Sequence, residues 1–171
     1  MSDADELQWP DLQAATAELI GAEGPGSAGW NGDASVTRAV NERFMRAFRA
    51  NAGRVPGELE GVPCLILSTT GAKSGLRRPV PLACHSVDGK LLVIASMGGA
   101  RVHPPWFHNL RVNPEVTVEK DGETYAARAR ITSGTERDAL FASICAAIPV
   151  FAEYQARSGG RVIPVIELQR R

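Results

Sequence analysis

No apolar run in the 171-residue sequence reaches the roughly 18 residues that a membrane span requires. The opening residues, MSDADELQWP, hold neither a basic segment nor an apolar one, so no secretory signal is expected there. Cysteine is scarce: Cys64, Cys84 and Cys145 lie far apart, are odd in number and form no C-x-x-C pair. That excludes a disulfide framework and predicts reduced core thiols in a cytoplasmic protein. Histidine is equally sparse. His103 and His108 flank two prolines and His85 stands alone, so no metal-ligand spacing exists and no metal is expected.

Nucleotide motifs are missing too. A P-loop ending at Lys73-Ser74 would need glycines at 67 and 72, where the chain has Leu67 and Ala72. There is no G-x-G-x-x-G, no strand–helix alternation of a Rossmann domain and no Ser-His-Asp order in a nucleophile elbow. Acids are nearly absent from 61–111, where Asp88 is alone, which excludes a paired-carboxylate site in that stretch.

What is present is charge, segregated within a formal net charge of zero. Residues 1–33 carry only acids, namely Asp3, Asp5, Glu6, Asp11, Glu18, Glu23 and Asp33. Residues 61–111 carry Lys73, Arg77, Arg78, Lys90, Arg101 and Arg111. Such a basic stretch is either a solvated face or the outline of an anionic ligand's site. Nucleic acid is not expected as a partner, given the neutral total and acidic N-terminus.

The sequence predicts an acidic, Gly-rich extension over 1–34, with a short helix from Leu12 to Ile20, and a single domain over 35–171. From Ser35 as N-cap, VTRAVNERFMRAFRAN sets Val36, Val40, Phe44, Ala47 and Phe48 on one helical face. A basic amphipathic helix over 36–52 packs its stripe on its own domain or touches a membrane surface. VPCLILSTT reads as a buried strand, and PVPLACHSV-DG-KLLVIAS as a hairpin on a D-G turn. EVTVEK-DG-ETYAARARITS is a second hairpin. A helix from Thr135 to about Ala147 follows, with Thr135 as N-cap and Asp138 at N3, and VIPVIEL closes as a strand. The pattern gives a mainly β (α+β) fold, a closed or split β-barrel of about six antiparallel strands with peripheral helices.

Three stretches can carry a site. In TTGAKSGLRRP, Gly71 and Gly75 allow tight turning with amides aimed at an anion, Arg78 offers a planar fork and Lys73 a mobile charge. In ASMGGA, small residues let a flat ring approach the backbone. In HPPWFHNL, Pro104 and Pro105 suit a first helical turn, Trp106 and Phe107 supply aromatic wall, and Asn113-Pro114 ends the helix. The set holds a flat anion without an acid, base or nucleophile of its own, which suits an enzyme whose cofactor does the chemistry.

TTGAKSGLRRPVPL, VIASMGGA, PWFHNLRVNPEVTV and EYQAR…IPVIEL together resemble the deazaflavin-dependent nitroreductase family of actinobacteria, over about residues 60–168. The resemblance implies a split β-barrel related to flavin-reductase and pyridoxamine-oxidase folds, and coenzyme F-420, a deazaflavin with a phosphate and an oligoglutamate tail. It implies that Lys73 and Ser74 meet the phospholactate region, with Ala72 and Arg78 alongside. Pro81, Ala95, Ser96 and Met97 would border the ring or ribityl chain. Pro105, Trp106, Phe107, His108 and Asn109, with Phe151, would complete the cofactor groove. Ser96 and Tyr154 would be the catalytic hydroxyls. The activity implied is hydride transfer to a small electrophilic acceptor: a quinone, a nitro compound or an activated alkene. Where the best-known relative rings its acceptor with tyrosines, this chain has Ala83, Ile148, Phe151 and Tyr154, and Pro105 replaces a methionine. Only Tyr154 keeps a hydroxyl there. The alternatives are FMN in the same groove, or a non-catalytic carrier of a cofactor or lipid-like ligand. The oligomeric state is expected to be monomer or homodimer.

Overall fold

The computed structural model describes residues 34–54 and 63–171. The expected helix at 12–20 and the acidic extension lie outside the described residues, except for its last position, Ala34. Helix α1 (Ala34–Ala50) leads into strands β1 (Cys64–Thr70), β2 (Arg77–Ala83), β3 (His85–Val87) and β4 (Lys90–Ile94). A 3-10 turn (Met97–Gly99) precedes helix α2 (Pro105–Val112), then β5 (Glu115–Lys120) and β6 (Glu123–Ile131). Helices α3 (Gly134–Ala147) and α4 (Val150–Arg157) and strand β7 (Val165–Arg170) complete the order.

The seven strands form one sheet in the order β2-β1-β5-β6-β7-β4-β3, with every neighbouring pair antiparallel. Its two edge strands, β2 and β3, are consecutive in the chain and separated only by Cys84. The chain therefore crosses from one edge of the curled sheet to the other, which is the split barrel expected, with seven strands among the described residues in place of about six.

The extra strand corrects the first hairpin. PVPLACHSV is not one strand: residues 77–83 pair with β1, and only His85–Val87 pairs with β4 around Asp88-Gly89. Pro79 and Pro81 have no N–H to give, so their segment belongs at an edge. Both D-G turns have positive φ at both residues (Asp88 50°, Gly89 75°; Asp121 52°, Gly122 78°), the tight hairpin geometry their sequence demands. The last strand begins three residues later than expected. Helix α3 begins at Gly134 with Ser133 at the cap position and no side-chain cap bond, so Thr135 is not the N-cap.

Two cores result. Alternate residues of the strands (Leu65, Leu67, Val93, Val116, Val118, Ile166) fill the barrel, and Trp106, Phe107 and Leu110 of α2 plug it. The opposite faces of β4 and β7 (Leu92, Ile94, Val165) are covered by Leu140, Phe141 and Ile144 of α3 and by Phe151 and Tyr154 of α4. In α1, Phe44 and Phe48 are 1% and 2% exposed, so the described part of its apolar stripe packs on the domain. Arg49 then clamps Glu119 of β5 through two bonds of 2.7 and 2.8 Å. Among the described residues no helix is long and apolar enough to cross a membrane.

Candidate functional site

The turn between β1 and β2 is built by its glycines and one serine. Gly71 N–H donates to the Leu76 carbonyl and Gly75 N–H to the Gly71 carbonyl, each at 2.8 Å. Gly75 sits at φ 67°, and a Cβ on Gly71 would lie 2.4 Å from Ser74 Oγ. Ser74 Oγ accepts the Leu76 N–H at 3.2 Å.

Helix α2 is locked to that turn by one side chain. Asn109 Oδ1 accepts the Ala72 N–H at 3.0 Å while its Nδ2 donates to Thr69 Oγ1 at 3.1 Å. Asn113 adds a bond to the Thr70 carbonyl at 3.4 Å. The basic turn and the Trp106 segment are thus neighbours, and both line one groove of about 830 Å³. That volume suits a cofactor-sized ligand. Its floor and walls include Val80, Leu82 and Ile94, with Asn41 contributed by α1.

The third wall, residues 95–103, is held from behind. Arg161 donates Nε to the Ala100 carbonyl (2.9 Å), Nη1 to the Ala95 carbonyl (3.0 Å) and Nη2 to the Ser96 carbonyl (2.7 Å). Its Nη1 also lies 3.0 Å from His103 Nδ1. Arg157 of α4 donates to the Gly98 carbonyl at 3.1 Å. Burial holds Arg161 below its ordinary pKa. Burial first, then the charges of Arg161, His108 and Arg111, lowers His103 as well. Met97 has φ 48° without being glycine, and Gly98 and Gly99 follow at 59° and 80°. Three successive left-handed residues make a sharp corner at the groove, a strained arrangement that the Arg157 and Arg161 bonds retain.

Ala72, Lys73, Ser74, Arg78, Pro81, Ser96, Met97, Pro105, Trp106, His108 and Asn109 therefore come together on the groove. Four expected residues do not line it. Ala95 is fully buried in the core, its N–H donating to the Pro164 carbonyl and its carbonyl accepting from Arg161. Phe107 is buried in the barrel core, packed behind the His103 ring. Phe151 and Tyr154, one turn apart on α4, both face the second core, and Tyr154 is 1% exposed. Tyr154 is corrected from an acceptor-side hydroxyl to a core residue: burial raises its pKa, and Arg157 lies over its ring. Ala83 and Ile148 are not on the groove wall either.

Asn41, Val80, Leu82 and His103 on the groove, and Arg161 behind it, were not read from the sequence as site residues. An alternating strand would have put Val80 and Leu82 on one face. The contact of Arg161 with His103, 58 positions away, leaves no local signal.

Among the described residues, the groove lining has two cationic side chains, Lys73 and Arg78, and no carboxylate. Neither has an acidic partner among the described residues, whereas Arg49, Arg128, Arg130 and Arg170 all do. Such a site can hold an anionic chain at its basic turn and a flat ring beside Trp106, and has no nucleophile poised by a base.

Comparison with known proteins places this geometry. The family model for F-420H(2)-dependent quinone reductase matches residues 40–169. An F-420H(2)-dependent quinone reductase of Mycobacterium tuberculosis is 31% identical over 146 residues, covering 80% of this chain and 96% of the relative. Among solved structures, an F-420-H2-dependent reductase is 38% identical with a TM-score of 0.56, over 63% of this chain and 94% of that one. Another, described as a domain-swapped dimer, is 33% identical with a TM-score of 0.58, over 78% of this chain and 99% of that one. The matched span includes all four motifs that carried the resemblance, and the chain belongs to the F-420H(2)-dependent quinone reductase family.

Proposed function

We propose that the protein is an oxidoreductase that uses reduced coenzyme F-420 to reduce a quinone. The observation that carries the reading is the pair Lys73 and Arg78, cations that have no acidic partner among the described residues, in a groove whose described lining contains no carboxylate. A charged group left unpaired at the rim of a concave apolar site is a ligand contact waiting for its counter-charge. The residues fit the coenzyme's chemistry: cations for its phosphate and glutamate tail, and Trp106, Pro105 and Met97 for a planar ring.

When bound, the reduced coenzyme supplies a hydride. The chain's own work is to bind, orient and exclude water. Lys73 and Arg78 would take the anionic tail, with the Ser74 hydroxyl free to donate while its oxygen accepts from Leu76. Val80, Leu82 and Ile94 would give the acceptor an apolar seat, which suits a quinone better than a charged substrate. The Ser96 hydroxyl would donate to oxygen charge developing on the acceptor in a dry site. A contact of α1 with a membrane surface would have to use exposed side chains such as Arg38 and Arg46, because Phe44 and Phe48 are buried. A homodimer is equally a proposal, measured by light scattering.

The test is titration with coenzyme F-420, following the fluorescence of Trp106 with Trp9 and Trp30 replaced by phenylalanine. Quenching that saturates, followed by quinone-dependent oxidation of the reduced coenzyme, is the expected outcome. Absence of any response at tens of micromolar, or FMN retained through purification, would remove the reading.

A further inference from the structure

His103 lies on the groove wall with one ring nitrogen engaged from behind. We propose that Arg161 fixes His103 as the neutral imidazole with its proton on Nε2, and that this Nε2–H donates a hydrogen bond to a carbonyl oxygen of the quinone in the groove. The inference rests on the functional reading above and adds a residue to it.

The tautomer follows from donor and acceptor inventory. A guanidinium has N–H groups and no lone pair to offer, so the nitrogen 3.0 Å from Arg161 Nη1 must be an acceptor. In a neutral ring with Nδ1 accepting, the proton sits on Nε2. Protonation of the ring would place a second N–H against Arg161, a clash of donors and of charges. The groups facing His103 reinforce this: Arg161 from the segment after α4, and His108 and Arg111 from α2. Among the described residues no carboxylate offsets them there.

Arg161 acts here as a positioning residue. Its three other bonds hold the carbonyls of Ala95, Ser96 and Ala100, so the wall that carries Ser96 and the ring of His103 share one anchor. Phe107 packs against the His103 ring at 4.7 Å between centroids and limits its rotation. Nε2 has no protein partner among the described residues. A fixed donor of this kind stabilises charge as it develops without reorganising. A neutral imidazole can do so while keeping its proton. The quinone gains a hydride from the reduced coenzyme and a proton from solvent, one carbonyl oxygen passing through an oxyanion. The coenzyme is oxidised, the quinone becomes the hydroquinone, and His103 ends as it began.

The first measurement needs no turnover: long-range proton–nitrogen correlation spectra of the coenzyme-free protein labelled with nitrogen-15 histidine. His103, assigned by its loss in His103→Asn, should show Nε2–H, and Arg161→Met should mix the two tautomers. The second uses menadione as quinone. His103→Asn keeps an acceptor for Arg161 and loses the far donor; it should lower kcat about tenfold or more while coenzyme affinity stays within about twofold of the parent protein. An Nδ1–H tautomer in the parent protein overturns the proposal, and so does an unchanged kcat in a folded His103→Asn. Weaker coenzyme binding with unaltered kcat would assign the donor to the coenzyme and overturn the quinone assignment. Failure of the parent protein to bind the coenzyme sinks the functional reading instead, and the fluorescence titration detects that separately.

Discussion

Lys73 and Arg78 differ from cations such as Arg49 and Arg130 in what surrounds them. Arg49 and Arg130 are occupied by Glu119, Glu136 and Glu167, whereas the two groove cations have no such partner among the described residues. Lys73→Ala and Arg78→Ala should each weaken coenzyme binding about tenfold, the scale of a lost charge-assisted hydrogen bond. Arg128→Ala, which disrupts a pair with Glu115 away from the groove, should leave it unchanged; equal losses in all three would point to a general charge effect. The thiols are the opposite case. Burial pushes Cys64 up to about 12 and Cys84 up to about 11, so neither is a thiolate near neutral pH. A disulfide reagent at pH 8 should modify the half-buried Cys145 first and leave the other two until the protein is denatured. At this scale the sequence was informative where the groove is built from local motifs. Lys73, Ser74, Arg78, Met97 and Trp106 sit in short motifs whose chemistry can be read in place. His103 and Arg161 meet only through the fold, and nothing in either neighbourhood says so.

The 3-10 turn Met97–Gly99 and helix α4 fit together through the absence of one side chain. A Cβ on Gly99 would lie 2.7 Å from the Tyr154 carbonyl and 2.9 Å from its Cα, at φ 80°. Backbone on both sides cannot step aside, so Gly99→Ala should destabilise the fold by about 2 kcal/mol or more and loosen the groove wall. Gly75→Ala at φ 67° meets nothing within 4 Å and should cost only about 1 kcal/mol from backbone conformation. Thermal melts of the two variants decide between contact and conformation as the cause. Elements with strong local punctuation, the β5–β6 hairpin and the proline-started α2, were legible. Helix α4 was not, because eight residues with two inward positions, Phe151 and Tyr154, give too brief a period. The resemblance set Tyr154 at the acceptor, whereas it is 1% exposed in the core under α3 and α4. The long first hairpin failed for another reason. An apolar run continuing through Cys84 hides the point where the chain changes partners.

For the molecule as a whole, acid should act in two stages. His85 is half-buried, with its Nε2 atom buried and without a partner among the described residues and its ring against Phe151, and burial lowers its pKa to about 4 from 6.5. The unfolded chain therefore binds this proton first, and stability is lost as pH falls from about 6.5 to about 4. Glu136 joins β6, β4 and α3 by bonding Arg130 and Lys90, and these cations lower it to about 2 from 4.5. Its contribution is present above about pH 4.5 and disappears on descent to about 2. Chemical denaturation at several pH values should show both slopes, and His85→Leu should flatten the upper one alone. The barrel class was legible because alternation and turn residues fix strand character. Which strands become neighbours was not: β1 with β5, and β4 with β7, are set by closure of the whole sheet.

The doubly bonded Asn109 ties the fate of the basic turn to that of the aromatic wall. The Ala72 amide, though in an exposed turn, should exchange its hydrogen slowly, and Asn109→Ala should release it. A molecule seated across both parts could then leave only when turn and helix part company, so this one amide side chain would act as a latch governing residence time.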